Sequence, residues 1–207
     1  MGRRQFFQSA VVGAAILAAP STAADIIFVP GTGTGKGMSL PPMLLNRTKA
    51  ALDGHKSVVR NRTMLAIADF SKPSRDPRFY LVNLQSGQST TFLVAHGKGS
   101  DPDHSGWVQH FSNMPGSEAT SSGSYLVGAQ YVGEHGVSRR LTGLDAQNDQ
   151  AEARAIVIHP AWYVSQSLIA EQGKLGRSQG CFAFSQNDIG QILQRLEPGT
   201  LIYADKV

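Results

Sequence analysis

The chain has 207 residues, of which 41% are hydrophobic, 8% aromatic and 16% charged, with a formal net charge of +4. That length suits a single domain, and the composition suits a buried core, which excludes disorder throughout. No apolar run reaches the ~20 residues of a membrane-spanning helix, and scattered basic residues argue against a nucleic-acid partner. Twenty-two glycines and ten prolines imply many turns and a strand-rich fold.

Residues Met1–Asp25 read MGRRQFFQSAVVGAAILAAPSTAAD. Basic, then apolar, then small residues is the order of a cleavable export signal, and Ala10–Ala19 is too short to remain as a membrane span. Arg3-Arg4-Gln5-Phe6-Phe7 resembles a twin-arginine signal, which implies export in a folded state to the periplasm or cell envelope. Cleavage is expected after Ala23 or Ala24, so residues 1–24 are read as signal. Without Arg3 and Arg4 the 19 basic residues fall to 17 against 15 acidic, which leaves little charge to steer a partner.

Residues 25–62 read as a lead-in and a helix. The stretch IIFVPGTGTGKGM (26–38) fails the phosphate-loop pattern, because Pro30 stands at its first glycine position and Gly37 at its Ser/Thr position. Met43–Val58 has helical spacing, with Leu44, Leu45 and Leu52 on or near one face. Met64–Phe70, Phe79–Leu84 and Thr90–His96 are strand-length runs divided by turn residues. A polar loop covers roughly 97–123. Ser124–Val132, Ser138–Leu144 and Ala155–His159 read as further strands, and a helix is expected around Ala161–Ala170. Ser185–Leu196 is the clearest helix: Ser185 is a suitable N-cap, Asp188 sits in the first turn, and Ile189, Ile192, Leu193 and Leu196 follow helical spacing. Pro198-Gly199 ends it and Thr200–Ala204 returns as a strand. Residues 63–207 therefore form one mostly β domain (a β-rich α+β fold) with a few short helices.

The single cysteine, Cys181, cannot form an internal disulfide. In an exported chain a free thiol is either buried or used. Its setting, Gly176-Arg177-Ser178-Gln179-Gly180-Cys181-Phe182, is small and polar, and Gly180 permits close backbone approach. A thiol needs a base within reach to act as a nucleophile at neutral pH. His159 ends the apolar run Ala155-Ile156-Val157-Ile158, and a strand end presents an imidazole rigidly. These two residues form the candidate catalytic pair.

His159 followed by Ser178-Gln179-Gly180-Cys181 resembles the His…Ser-x-Gly-Cys signature of the L,D-transpeptidases of bacterial cell-wall metabolism, in the divergent branch of their YkuD-like catalytic domains. Val94-Ala95-His96-Gly97, Gly99-Ser100, Phe111-Ser112-Asn113, Ser121-Ser122-Gly123, Tyr125, Gly143-Leu144-Asp145, Arg154 through His159, and Gly176 through Cys181 carry the likeness in order, across roughly Ile67–Ala204. Three positions depart from family patterns: Gln179 where His is frequent, Ala183 where Arg or Asn is frequent, and Phe182 where the divergent branch often has Pro.

The resemblance implies a YkuD-like mixed β-sandwich and an acyl transfer on peptidoglycan stem peptides. Cys181 is the implied nucleophile and His159 the general base and acid. Backbone N–H groups at Gly180 and Cys181 are the implied oxyanion donors. Ser178 orients His159 or closes the turn. Arg177 is a candidate for binding a substrate carboxylate, and His96-Gly97 begins a loop expected beside the cleft. Transfer to water instead of an amine would make the protein an L,D-carboxypeptidase or amidase-like hydrolase; loss of catalysis would leave a wall-binding domain. His96, Asp101, Asp103, His104 and His110 crowd one loop, yet nothing in its pattern announces an ordered metal geometry, so neither metal nor cofactor is expected. His55 and His135 read as surface residues.

Overall fold

The computed structural model describes residues 40–207. The signal segment with Arg3-Arg4 and the glycine-rich stretch at 26–38 lie outside the described residues. In chain order the elements are α1 (Pro42–Gly54), β1 (Met64–Asp69), β2 (Phe79–Asn83), β3 (Ser89–Phe92), β4 (Gly123–Gly133), β5 (Gly136–Gly143), β6 (Val157–Pro160), α2 (Gln166–Gln172), β7 (Phe182–Phe184), α3 (Ile189–Arg195) and β8 (Leu201–Asp205). The fold is mostly β, as expected.

Among the described residues the eight strands join one sheet in the order β3-β2-β1-β8-β4-β5-β6-β7. The sheet is mixed: β1 pairs with β8 and β6 with β7 in parallel, and the remaining neighbours are antiparallel. β1 is covered on both faces, which explains its nearly continuous apolar sequence. Ala66 and Ala68 face the main core with Phe79, Tyr125, Phe182 and Ile202. Leu65 and Ile67 face the other way, onto Leu44 and Leu52 of α1. Pro42 starts α1, where its missing N–H costs nothing. The buried stripe Leu44, Thr48, Leu52 repeats every four residues, so one face of the helix seals the outer side of the sheet.

The expected strand Thr90–His96 is shorter, because the chain leaves β2 after Phe92. The buried Arg78 explains the departure: its Nε and Nη2 donate to the Val94 carbonyl at 3.2 and 2.9 Å. Residues 94–98 then cross to the opposite edge of the sheet, where the Ala95 N–H donates to the Ala183 carbonyl at 3.0 Å. This bridge ties the β3 end of the chain to β7 and curls the sheet around its core.

Two helix starts also differ. α2 begins at Gln166, not Ala161, because Ala161–Ser165 turns away from β6 and the Ser165 hydroxyl caps the Leu168 N–H at 3.2 Å. α3 begins at Ile189. Ser185 closes the turn before it, accepting the Asp188 N–H at 3.0 Å and donating to the Asp188 carboxylate at 2.7 Å.

Truncating Leu44 to Ala removes a fully buried side chain between α1 and the sheet. It should lower unfolding stability by about 2–5 kcal/mol, read as a shifted urea midpoint at constant slope. An unchanged midpoint would show that α1 contributes nothing to the folded body.

Candidate active site

The turn that carries Cys181 is held by backbone. The Ser178 N–H donates to the His96 carbonyl at 2.9 Å and the Lys98 N–H to the Ser178 carbonyl at 2.8 Å. Gly97 lies against Gly180: a Cβ on Gly97 would stand 2.8 Å from the Gly180 Cα and 2.3 Å from the Glu118 carbonyl oxygen. Gly180 itself has φ +113°, a region that side chains rarely tolerate, and a Cβ there would meet the Ala119 oxygen at 2.7 Å. Thr120 stitches the contact from below, accepting the Gly97 N–H at 2.9 Å and donating to the Gly180 carbonyl at 3.4 Å.

Ser178 closes this turn; no hydrogen bond links it to His159. Its hydroxyl donates to the Cys181 carbonyl at 2.7 Å and accepts the Gly180 N–H at 3.1 Å. The Gly180 amide is thereby spent, which corrects the expectation that it serves as an oxyanion donor. Gly97 likewise supports the turn from behind and is not among the residues lining the cleft.

In the β6–β7 pair His159 stands opposite Ala183. Cys181 precedes Ala183 by two residues, so strand alternation puts it on the face that His159 occupies. Phe182, between them, turns inward and packs edge-on to Tyr125 with ring centroids 5.2 Å apart. Cys181 and His159 both open into a cleft of about 630 Å³, with Arg154, Tyr163, Arg177 and the hairpin residues Tyr131, Glu134 and His135 around it.

The partly exposed thiol donates to the Ala155 carbonyl at 3.6 Å. Burial pushes its pKa up, while the Val157 amide and the Arg154 cation pull it back. His159 Nδ1 donates to the Pro160 carbonyl at 2.8 Å. Because a carbonyl only accepts, the proton sits on Nδ1 and Nε2 is the basic nitrogen. Burial pushes the His159 pKa below its ordinary value, the Pro160 bond opposes this, and His135 adds to the lowering.

Three contributors escaped the sequence. His135, read as a surface residue, sits in the turn between β4 and β5 and stacks on His159, centroids 4.3 Å apart and planes at 27°. Arg154 donates to the Ser112 carbonyl at 2.8 Å and also to the Ala119 carbonyl, pinning the long loop beside the thiol. Ala155 has φ +51°, uncommon for a residue with a Cβ, and this backbone aims its carbonyl at Cys181.

His96 is a correction. It is fully buried and lines no part of the cleft. Its Nδ1 accepts from Arg78 at 2.6 Å and its Nε2 donates to Asp101 at 3.2 Å. Burial, aided by the Arg78 charge, pushes its pKa down to about 3. Asp101 is held at about 2: burial opposes this, but the Ser105 side chain and amide, the Gly106 amide and His96 outweigh it. Arg78 is lowered by burial to about 9 and stays charged at neutral pH. Arg177 lines the cleft, although its Nη1 also donates to the Asp101 and Pro102 carbonyls. His104 Nε2 bonds the Leu175 carbonyl at 2.9 Å. His55, read as a surface residue, bonds Asp145 at 2.8 Å and ties the end of α1 to the loop after β5.

A family model described as the L,D-transpeptidase catalytic domain matches residues 39–204. The chain belongs to this family. The match begins ahead of α1 and so takes in the helix that covers the sheet. Among solved structures, an L,D-transpeptidase from Mycobacterium smegmatis is 13% identical with a TM-score of 0.42, over 69% of this chain and 58% of that one. One from Mycobacterium tuberculosis is 16% identical with a TM-score of 0.40, over 69% and 57%. The helical cell shape determining protein Pgp2 of Campylobacter jejuni is 14% identical with a TM-score of 0.42, over 81% and 57%. The chain thus spans less than two thirds of the length of these proteins. No curated protein sequence matches it.

In this L,D-transpeptidase domain the stacked His135 should be measurable in the titration of His159. Replacing His135 with Ala removes a neighbour that lowers the His159 pKa, so the His159 ring resonances should titrate at higher pH, nearer the ordinary ~6.5. An unmoved titration would contradict the contact.

Proposed function

We propose that the protein is an exported L,D-transpeptidase that acts on murein stem peptides through a thioester on Cys181. The observation that carries this reading is the placement of Cys181 and His159 on one face of the β6–β7 pair, open to one cleft, in a chain of this family. The substrate carbonyl is the one that follows the L-centre of the diaminoacyl residue in a tetrapeptide stem. His159 Nε2 takes the thiol proton as sulfur bonds to that carbon, and returns it to the amine of D-Ala as the C–N bond breaks. An amine from an acceptor, deprotonated by the same nitrogen, then attacks the thioester and restores the thiol.

The directions of the pKa shifts support a resting pair that is neutral on both sides. Burial disfavours the thiolate and the imidazolium alike. The proton therefore moves during attack, and Nε2 must be unprotonated beforehand. With the Gly180 amide engaged by Ser178, the Cys181 N–H is the backbone donor we assign to the developing oxyanion. Arg177, at the cleft wall, suits a substrate carboxylate, and Arg154 supports the thiolate as it forms. Arg3-Arg4 and the apolar stretch after them support export by the twin-arginine route to the periplasm or cell envelope.

A pH series of acylation by a tetrapeptide stem, followed by intact mass, tests this reading. The wild-type rate should fall in acid with a midpoint below about 6.5, because the folded His159 pKa is lowered and protonation removes the base only beneath it. His159→Gln should acylate slower by about 10²–10⁴. Its remaining rate should rise through the raised thiol pKa, above about 8.5. Superimposable profiles for the two proteins would remove His159 from the mechanism.

A further inference from the structure

A second groove, of about 820 Å³, lies against the other side of the segment that follows β6. Consecutive residues of that segment serve different hollows: Trp162 lines this groove and Tyr163 lines the catalytic cleft. Trp162 is 75% exposed and meets Tyr163 in a T-shaped contact, ring centroids 5.9 Å apart and planes at 80°, so most of the indole stays open to solvent. An exposed indole at the mouth of a hollow offers a large, rigid apolar surface with a polar N–H at its edge, the side chain that suits a surface with both apolar and polar contacts.

The rest of the lining states which ligand such a surface suits. Gln166, Gln186 and Asn187 carry side-chain amides with no hydrogen bond to the described residues, and Thr91 adds a free hydroxyl. The Asp188 carboxylate is already occupied by the Ser185 hydroxyl and by the Gln191 amide at 3.3 Å. Among the described residues Arg75 is the one cation of the lining and Asp188 the one carboxylate. Amides and hydroxyls are both donors and acceptors, so together they match a ligand rich in hydroxyl and acetamido groups. The open indole face matches the C–H face of a pyranose ring. The near absence of free charge excludes a strongly charged polymer and favours a neutral one.

We propose that this groove binds an uncharged N-acetylhexosamine glycan, and that Trp162 is the platform on which one sugar ring stacks. The inference rests on the murein reading of the catalytic cleft, and it deepens it. A stem peptide is attached to a sugar chain, and the 161–164 segment, shared by both hollows, brings a bound chain beside the thiol. The groove then selects peptides that are still attached to glycan over free ones.

The test uses the full chain and N-acetylglucosamine tetrasaccharide as probe, with binding measured by calorimetry. Wild type should bind saturably. Trp162→Ala should bind about tenfold more weakly or not at all, as expected for loss of a stacked face. Trp162→Tyr should recover most of the affinity, and Trp107→Ala, at an exposed indole outside the groove, should match wild type. Acylation by a free tetrapeptide, measured in parallel, should be the same for wild type and Trp162→Ala. Absence of saturable binding by wild type, or equal binding by Trp162→Ala, overturns the groove. Failure of acylation in every protein overturns the catalytic reading and leaves Trp162-dependent binding standing as evidence for the groove.

Discussion

The contact between two glycine backbones, Gly97 and Gly180, is the constraint on which the site depends. Neither position has room for a Cβ, so the strand-like segment after β3 can lie directly on the turn that carries Cys181. That approach lets the His96 carbonyl and the Lys98 amide pair with Ser178, and it lets Ala95 reach Ala183. The sheet is closed and the nucleophile positioned by the same few hydrogen bonds. A packed interior passes such a constraint on with little give.

Beneath this contact the buried Arg78, His96 and Asp101 act as an internal brace. Arg78 grips the Val94 carbonyl and His96, and His96 grips Asp101. Asp101 in turn accepts the Ser105 and Gly106 amides at 2.7 and 2.8 Å. A buried charge kept this well partnered is worth little as net stability, but removing one partner leaves the other uncompensated, at roughly 3–5 kcal/mol. The brace therefore fixes the path of residues 94–106 more than it strengthens the fold. Its buried members titrate far from neutrality, so the turn keeps its shape across the range in which His159 changes charge.

Much of this was legible in the sequence, for identifiable reasons. The strands declare themselves as apolar runs of strand length divided by turn residues and α3 by its helical spacing, and Cys181 with His159 stands out because a lone thiol in a glycine-rich turn and a strand-end imidazole are chemically conspicuous. His96 was misplaced: the family resemblance put the His96-Gly97 step beside the cleft, and only the three-dimensional path shows Arg78 and Asp101 enclosing it. Ser178 was left between two roles because turn closure and histidine orientation ask for the same hydroxyl. His135 was missed, and Arg154 was named only as part of the family likeness with no role, because their contacts join segments distant along the chain. The stack on His159 depends on where the β4–β5 hairpin ends, through a register shift between Val127 and Gln130 that no local pattern announces.

The central claim is that Cys181 carries a stem peptide as a thioester after D-Ala has left. Its most direct measurement is intact and peptide-level mass spectrometry of the wild-type protein, quenched in acid after mixing with a tetrapeptide stem. The account predicts a transient mass gain equal to the tripeptide acyl group, mapped to the peptide that contains Cys181, with free D-Ala released in equal amount. Release of D-Ala without any adduct on Cys181, or an adduct that retains the D-Ala, would contradict it.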